Sequence, residues 1–255
     1  MKITFLGSGT SSGVPSIGCR CATCRSTDMR DKRLRPSIWL EDEEWSVIID
    51  TSSDFRQQCL RARIERLDAV VYTHHHFDHI AGFDDLRAYN FLARRPIPIY
   101  VMPETLANLK TVFSYAFGTQ TNTGTSVPLV DVNEILNEPF VVAGVEWVPL
   151  ELSHGKMRVN GYRVGSFAYC TDCNAVTPEA MERLSGVDVL VLDALRISPH
   201  PTHFNLEEAI AMAQCIGARA TYFTHIAHEI RHAEVEALLP PQIYLAYDGL
   251  QLALE

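Results

Sequence analysis

No stretch of these 255 residues stays apolar over the roughly 20 positions that a membrane-spanning helix needs, so a helical bilayer segment is excluded. The opening residues MKITFLGSG have neither the basic start nor the long apolar stretch of a secretory signal, and the expectation is a cytoplasmic protein without membrane association. Positive charge is also scarce. The 22 Lys and Arg against 31 Asp and Glu give a formal net charge of -9, which makes nucleic acid an unfavoured partner, because phosphate binding needs a compensating basic surface. Repeats, low-complexity tracts and an interdomain linker are missing, so residues 1–255 are expected to form a single domain. The seven cysteines are an odd number, and in a reducing compartment they read as free thiols or metal ligands rather than a disulfide framework.

What is present is an alternation of β-rich and helical patterns. Apolar runs at 2–7, 45–50, 67–73, 96–102, 140–150, 162–171, 187–195, 220–225 and 243–249 predict strands. Helical spacing recurs near 54–63, 83–93, 103–116, 177–185, 205–217 and 231–239, with Thr177-Pro178-Glu179 and Asn205-Leu206-Glu207-Glu208 as start signals. The fold class is therefore α/β, with sheets covered by helices. Four polar clusters each fall just past a predicted strand: THHHFDH (73–79), LSHG (152–155), TDC (171–173) and THIAHE (224–229). Ligand sites in layered α/β folds collect at strand ends, where loops from distant parts of the chain converge.

THHHFDH packs four of the ten histidines and one carboxylate into seven residues. Residues two apart in an extended segment share a face, so His74 and His76 can reach one cation while His75 points away. Asp78 and His79, past the turn, can address a second. Imidazole and carboxylate donors admit zinc, manganese and iron, and a pair of such ions is a known hydrolytic device. A second dense group, Cys19, Cys21 and Cys24 in C-x-C-x-x-C, reads as three ligands of a structural zinc. Local spacing leaves its fourth ligand open among Cys59, His200, His228 and His232. Of the other features, Gly7, Gly9 and Gly13 read as a tight turn, and RSTDMRDKRLR (25–35) as a solvated basic loop with one arginine available to an anion. Cys59 and Cys215 read as core residues of helices, and Cys170-x-x-Cys173 as structural rather than redox-active.

THHHFDH followed in order by LSHG, TDC and THIAH resembles the motif set of the metallo-β-lactamase superfamily. The resemblance implies a four-layer αββα sandwich. In it His74, His76 and His154 would hold one divalent metal, Asp78, His79 and His225 the other, and Asp172 would bridge them with a hydroxide. The cysteine segment and YDGLQL near the end resemble the PhnP-like phosphodiesterase branch, which implies His228 as the fourth structural ligand. His203 in PTHFNLEEA falls where that branch places a candidate general acid, so Asp78 and His203 are the candidate catalytic groups. The chain departs from the branch at 103–138 and at Cys173, where a small hydroxyl residue is commoner. The implied activity is a dinuclear phosphodiesterase acting on a small, cyclic phosphodiester. Alternatives are a thioesterase or lactonase of the same fold, a nuclease like those that process transfer RNA 3′ ends, and a non-catalytic biosynthetic carrier. A homodimer is compatible with the sequence.

Overall fold

The computed structural model describes residues 1–118 and 127–254. In chain order the first half holds β1 (Lys2–Gly7), β2 (Ser37–Glu41), β3 (Ser46–Ile49), α1 (Phe55–Ala62), β4 (Ala69–Val71), α2 (Phe77–Ile80), α3 (Leu86–Ala93), β5 (Ile97–Val101), α4 (Pro103–Val112), α5 (Ser114–Phe117) and β6 (Val130–Glu134). The second half holds β7 (Phe140–Val142), β8 (Val145–His154), β9 (Met157–Val164), β10 (Phe167–Cys170), β11 (Ala175–Val176), α6 (Pro178–Arg183), β12 (Val189–Asp193), α7 (Leu206–Ile216), β13 (Ala220–Thr224), α8 (His232–Glu236) and β14 (Ile243–Leu245). The last strand, β15 (Gln251–Ala253), returns to pair antiparallel with β1.

Among the described residues one sheet runs β15-β1-β2-β3-β4-β5-β6, and the other runs β11-β8-β9-β10-β12-β13-β14 with β7 paired to β8. Strand side chains alternate between faces, and in these sheets both faces are apolar. Val47 and Ile49 of β3 join Val189 and Val191 of β12, with Trp147 and Tyr162, in a core between the sheets. Ile48 points the other way, into a layer with Phe55 of α1, Leu86 of α3 and Leu106 of α4. Leu190 and Leu192 likewise pack with Ala180 of α6 and Ala209 and Ala213 of α7. The result is helix, sheet, sheet, helix, the four layers expected. Each large apolar side chain buried in this way contributes about 1.5–3 kcal/mol.

Two predicted strands are in fact hairpins. Ala143 (φ 50°) and Gly144 (φ 85°) turn the chain between β7 and β8, and successive left-handed residues are what a tight antiparallel turn requires. Gly165 (φ 56°) does the same between β9 and β10. β6 and β15, absent from the sequence expectation, are edge strands whose partly exposed residues carry little apolar pattern. β2 is short and polar-flanked yet lies inside its sheet. The departing segment 103–138 forms α4, α5 and β6 where described, and its residues 119–126 lie outside the described residues. No described helix is long and apolar enough to cross a membrane.

Candidate metal centre

Strand ends deliver the polar groups to one edge of the sandwich. Thr73–His79 follow β4, His154 ends β8, Asp172 follows β10, Asp193 ends β12 and His225 follows β13. Parallel pairing of β10, β12 and β13 keeps Asp172, Asp193 and His225 at neighbouring levels. Asp50, Asp172 and His225 have φ of 63°, 53° and 60°, a region that costs non-glycine residues energy and that recurs where a chain must aim a functional group.

The structure brings the expected donors together. His79 Nε2 lies 3.2 Å from Asp172 Oδ1 and 3.4 Å from Asp78 Oδ2. His225 Nε2 lies 3.3 Å from Asp172 Oδ2 and 3.6 Å from Asp78 Oδ2, so these four side chains form one donor cluster. His74, His76 and Asp172 form a second, with His74 Nε2 3.8 Å from Asp172 Oδ2. His154 groups with Asp172 and His203, and its ring stands 5.1 Å from that of His76. Asp172 is common to all three groups.

Two carboxylates outside the donor set orient it. Asp50 Oδ2 accepts from His79 Nδ1 at 2.7 Å, and Asp50 also accepts from Thr73 N–H and Oγ1, each at 2.8 Å. With the Thr73 hydroxyl proton spent on Asp50, His74 Nδ1–H donates to Thr73 Oγ1 at 3.0 Å. His154 Nδ1–H donates to the Thr202 carbonyl at 2.8 Å. In each case an acceptor fixes the proton on Nδ1 and leaves the Nε2 lone pair for another partner. Asp193 Oδ2 accepts from His203 Nδ1 at 2.8 Å and from Cys173 N–H at 3.0 Å. Sequence reasoning passed over both aspartates, although each closes an apolar strand pattern, WSVIID and VDVLVLD.

Burial opposes charge on His79, yet Asp172, Asp78 and Asp50 overcome it and hold its pKa well above the ordinary imidazole value. Burial also opposes charge on His225, but Asp172, Asp78 and Asp193 push its pKa up to about 9. His74 and His76 shift down, chiefly through burial and then through neighbouring histidines. Burial would raise the Asp172 carboxyl, but His225, His79 and His74 hold it well below the usual range. The carboxylates thus demand positive charge at the cluster's centre. His74 Nε2, His79 Nε2, His225 Nε2 and Asp78 Oδ2 are buried there with no hydrogen-bond partner among the described residues. Leaving such atoms unpaired costs about 1–3 kcal/mol each, so the donor set fits divalent cations.

His228 Nδ1 lies 3.3 Å from Cys21 Sγ and 3.6 Å from Cys19 Sγ, and with Cys24 the four form one potential tetrahedral set. The other candidates for fourth ligand lie elsewhere. Cys59 is buried in the α1 layer, the His200 ring is 5.1 Å from that of His203, and His232 is buried with its backbone N–H on Asp31. A backbone hydrogen bond from Cys24 and then His228 lower the Cys21 thiol to about 6, whereas burial raises Cys24 to about 11. The basic loop is less solvated than expected: Arg33 is fully buried, paired with Asp31 at 3.2 Å and donating to the Ala227 carbonyl at 3.1 Å. Cys59 is buried as expected, but Cys215 is exposed because it lies on the outer side of α7.

A family model described as the beta-lactamase superfamily domain matches residues 46–226. A solved structure of a diphosphatase from the PhnP family is 43% identical, covers all of this chain and 98% of its own, and superposes with a TM-score of 0.93. An octanoyltransferase of Porphyromonas gingivalis is 38% identical across the whole chain, and the chain spans about half (52%) of that curated relative's length. The coenzyme PQQ synthesis protein B of Methylorubrum extorquens is 27% identical over 76% of this chain and 72% of its own.

Proposed function

The chain belongs to the metallo-β-lactamase superfamily and to its PhnP branch, and from that premise we propose that it is a metal-dependent hydrolase opening small phosphodiesters, cyclic ones included. His203 carries this reading. It is nearly buried, its ring stands 4.5 Å from His154 and 4.8 Å from His225, and Asp193 holds its Nδ1 proton. That leaves Nε2 as the atom that exchanges a proton beside the donor cluster. A sugar alkoxide is a poor leaving group and gains about 10²–10⁴ in rate from a placed acid, whereas a departing thiolate needs far less help.

His74, His76 and His154 would hold one divalent ion, Asp78, His79 and His225 the other, with Asp172 shared. Such ions supply a water of pKa about 7 and neutralise charge on phosphoryl oxygens. Asp50 fixes His79, and Asp193 fixes His203. Zinc, manganese and iron all suit the donors. Cys19, Cys21, Cys24 and His228 would hold a zinc of structural role. The PhnP-family diphosphatase supports phosphorus chemistry.

A second reading, cleavage of an acyl thioester, is favoured by the name of the Porphyromonas relative, but this chain matches only about half (52%) of that protein. Turnover at equal metal loading separates the two. The expected result is hydrolysis of a ribose cyclic phosphodiester and of bis-nitrophenyl phosphate, with octanoyl thioesters and lactones inert. Thioester turnover without phosphodiester turnover would reject the proposal, and bound metal with no turnover would favour the carrier.

A further inference from the structure

We propose that Phe77 determines specificity at this site, as a flat apolar wall that selects phosphoesters carrying a nucleobase. The inference rests on the hydrolase reading for the position of the phosphate. His74, His79, His154, Asp172 and His225 are all buried, whereas His76 is only half-buried, so a solute reaches the cluster on the side of His76. Phe77 is the next residue, and it is 65% exposed. Its Cα is about 3.8 Å from those of His76 and Asp78, which belong to different donor groups.

The backbone that carries the ring is held in place. The N–H groups of His79 and Ile80 both donate to the His76 carbonyl, at 2.9 and 3.2 Å, and the Ala81 N–H bonds the Phe77 carbonyl. The following turn is fixed from outside, because Thr51 N–H donates to the His79 carbonyl at 2.8 Å and Gly82 N–H to the Thr51 carbonyl at 2.9 Å. Asp78, His79 and Ile80 are the buried residues of α2, and Phe77, beside half-buried His76, is its exposed one. An exposed ring on a fixed backbone beside the donor cluster offers one face, not an enclosing pocket. An acyl chain gains little from one face, whereas any base gains from stacking on it. With the phosphate at the cations, the sugar spans the distance between them and the base lies against the ring.

The test uses metal-matched wild type, Phe77→Ala, Phe77→Leu and Phe77→Tyr on adenosine 2′,3′-cyclic phosphate and on the base-free methyl riboside 2,3-cyclic phosphate. Wild type should prefer the base-bearing substrate about tenfold or more in kcat/KM. Phe77→Ala and Phe77→Leu should erase that preference through KM with kcat held, and Phe77→Tyr should keep it. An indiscriminate wild type, or equal losses on both substrates, overturns the proposal. Calorimetry with AMP and ribose 5-phosphate separates it from the hydrolase reading. If neither cyclic phosphate turns over but AMP still binds about tenfold more weakly to Phe77→Ala than to wild type, the reaction assignment falls and Phe77 stands. Equal AMP affinity in the two overturns the role of Phe77.

Discussion

At the scale of single residues, proton placement organises the site. Asp50 and Asp193 hold the Nδ1 protons of His79 and His203, and the consequences differ because one imidazole belongs to the donor cluster and the other stands beside it. Replacing His203 with Ala removes a proton donor but no member of the four-residue cluster. Turnover of substrates with alkoxide leaving groups should fall about 10²–10⁴-fold, while nitrophenyl esters, whose leaving group needs no proton, should lose little. Equal loss on both, in paired steady-state assays, would assign His203 a structural part instead. The donors were legible in the sequence because imidazoles and carboxylates crowd into short clusters past apolar strands. The orienting aspartates were not: a lone Asp after WSVII or VDVLVL reads as a turn residue until the fold shows which imidazole it meets.

At the scale of elements, the loop before β2 is tied to the first residue of α8 and to Ala227 ahead of it by buried polar contacts. Arg33 pairs with Asp31, and Asp31 accepts from the His232 N–H at 2.8 Å. Burial, and then the guanidinium groups of Arg30 and Arg33, push His232 down to about 4 from an ordinary value near 6.5. The folded state therefore favours neutral His232. Its contribution to stability is fully present above about pH 6.5, fades as pH falls towards 4, and is gone below that. Urea midpoints of the metal-loaded protein should drop more steeply between pH 6.5 and 4 in wild type than in His232→Asn. Parallel pH profiles would contradict the preference for neutral His232. Periodicity showed the longer helices and most of the central strands, which are apolar on both faces, and missed β2. It merged β7 with β8 and β9 with β10, because two-residue turns interrupt an apolar pattern too briefly to register.

At the scale of the whole molecule, the proposed zinc would clip residues 19–24 to residue 228 and so close most of the chain into a loop, which ties metal affinity directly to folding. Cys24→Ser should lower the thermal midpoint and release about one zinc per chain, while the histidine-rich site keeps its metal. Metal analysis alongside calorimetry checks this, and unchanged zinc content would remove the clip. The alternation of apolar runs made a layered α/β fold legible, and the four-layer order came from the motif resemblance alone; the proposed fourth ligand was not legible from spacing, because only the fold carries residue 228 to residue 19.

The two sheets are not two consecutive halves of the polypeptide, since β15 crosses from the second back to the edge of the first. Asp248, just ahead of it, accepts hydrogen bonds from Ser8 and from Leu34 N–H. The first sheet is therefore complete only when residues 251–253, distant in the chain, have reached β1. A chain without residues 251–253 would leave β1 with an unpaired flank, open to pairing with another copy.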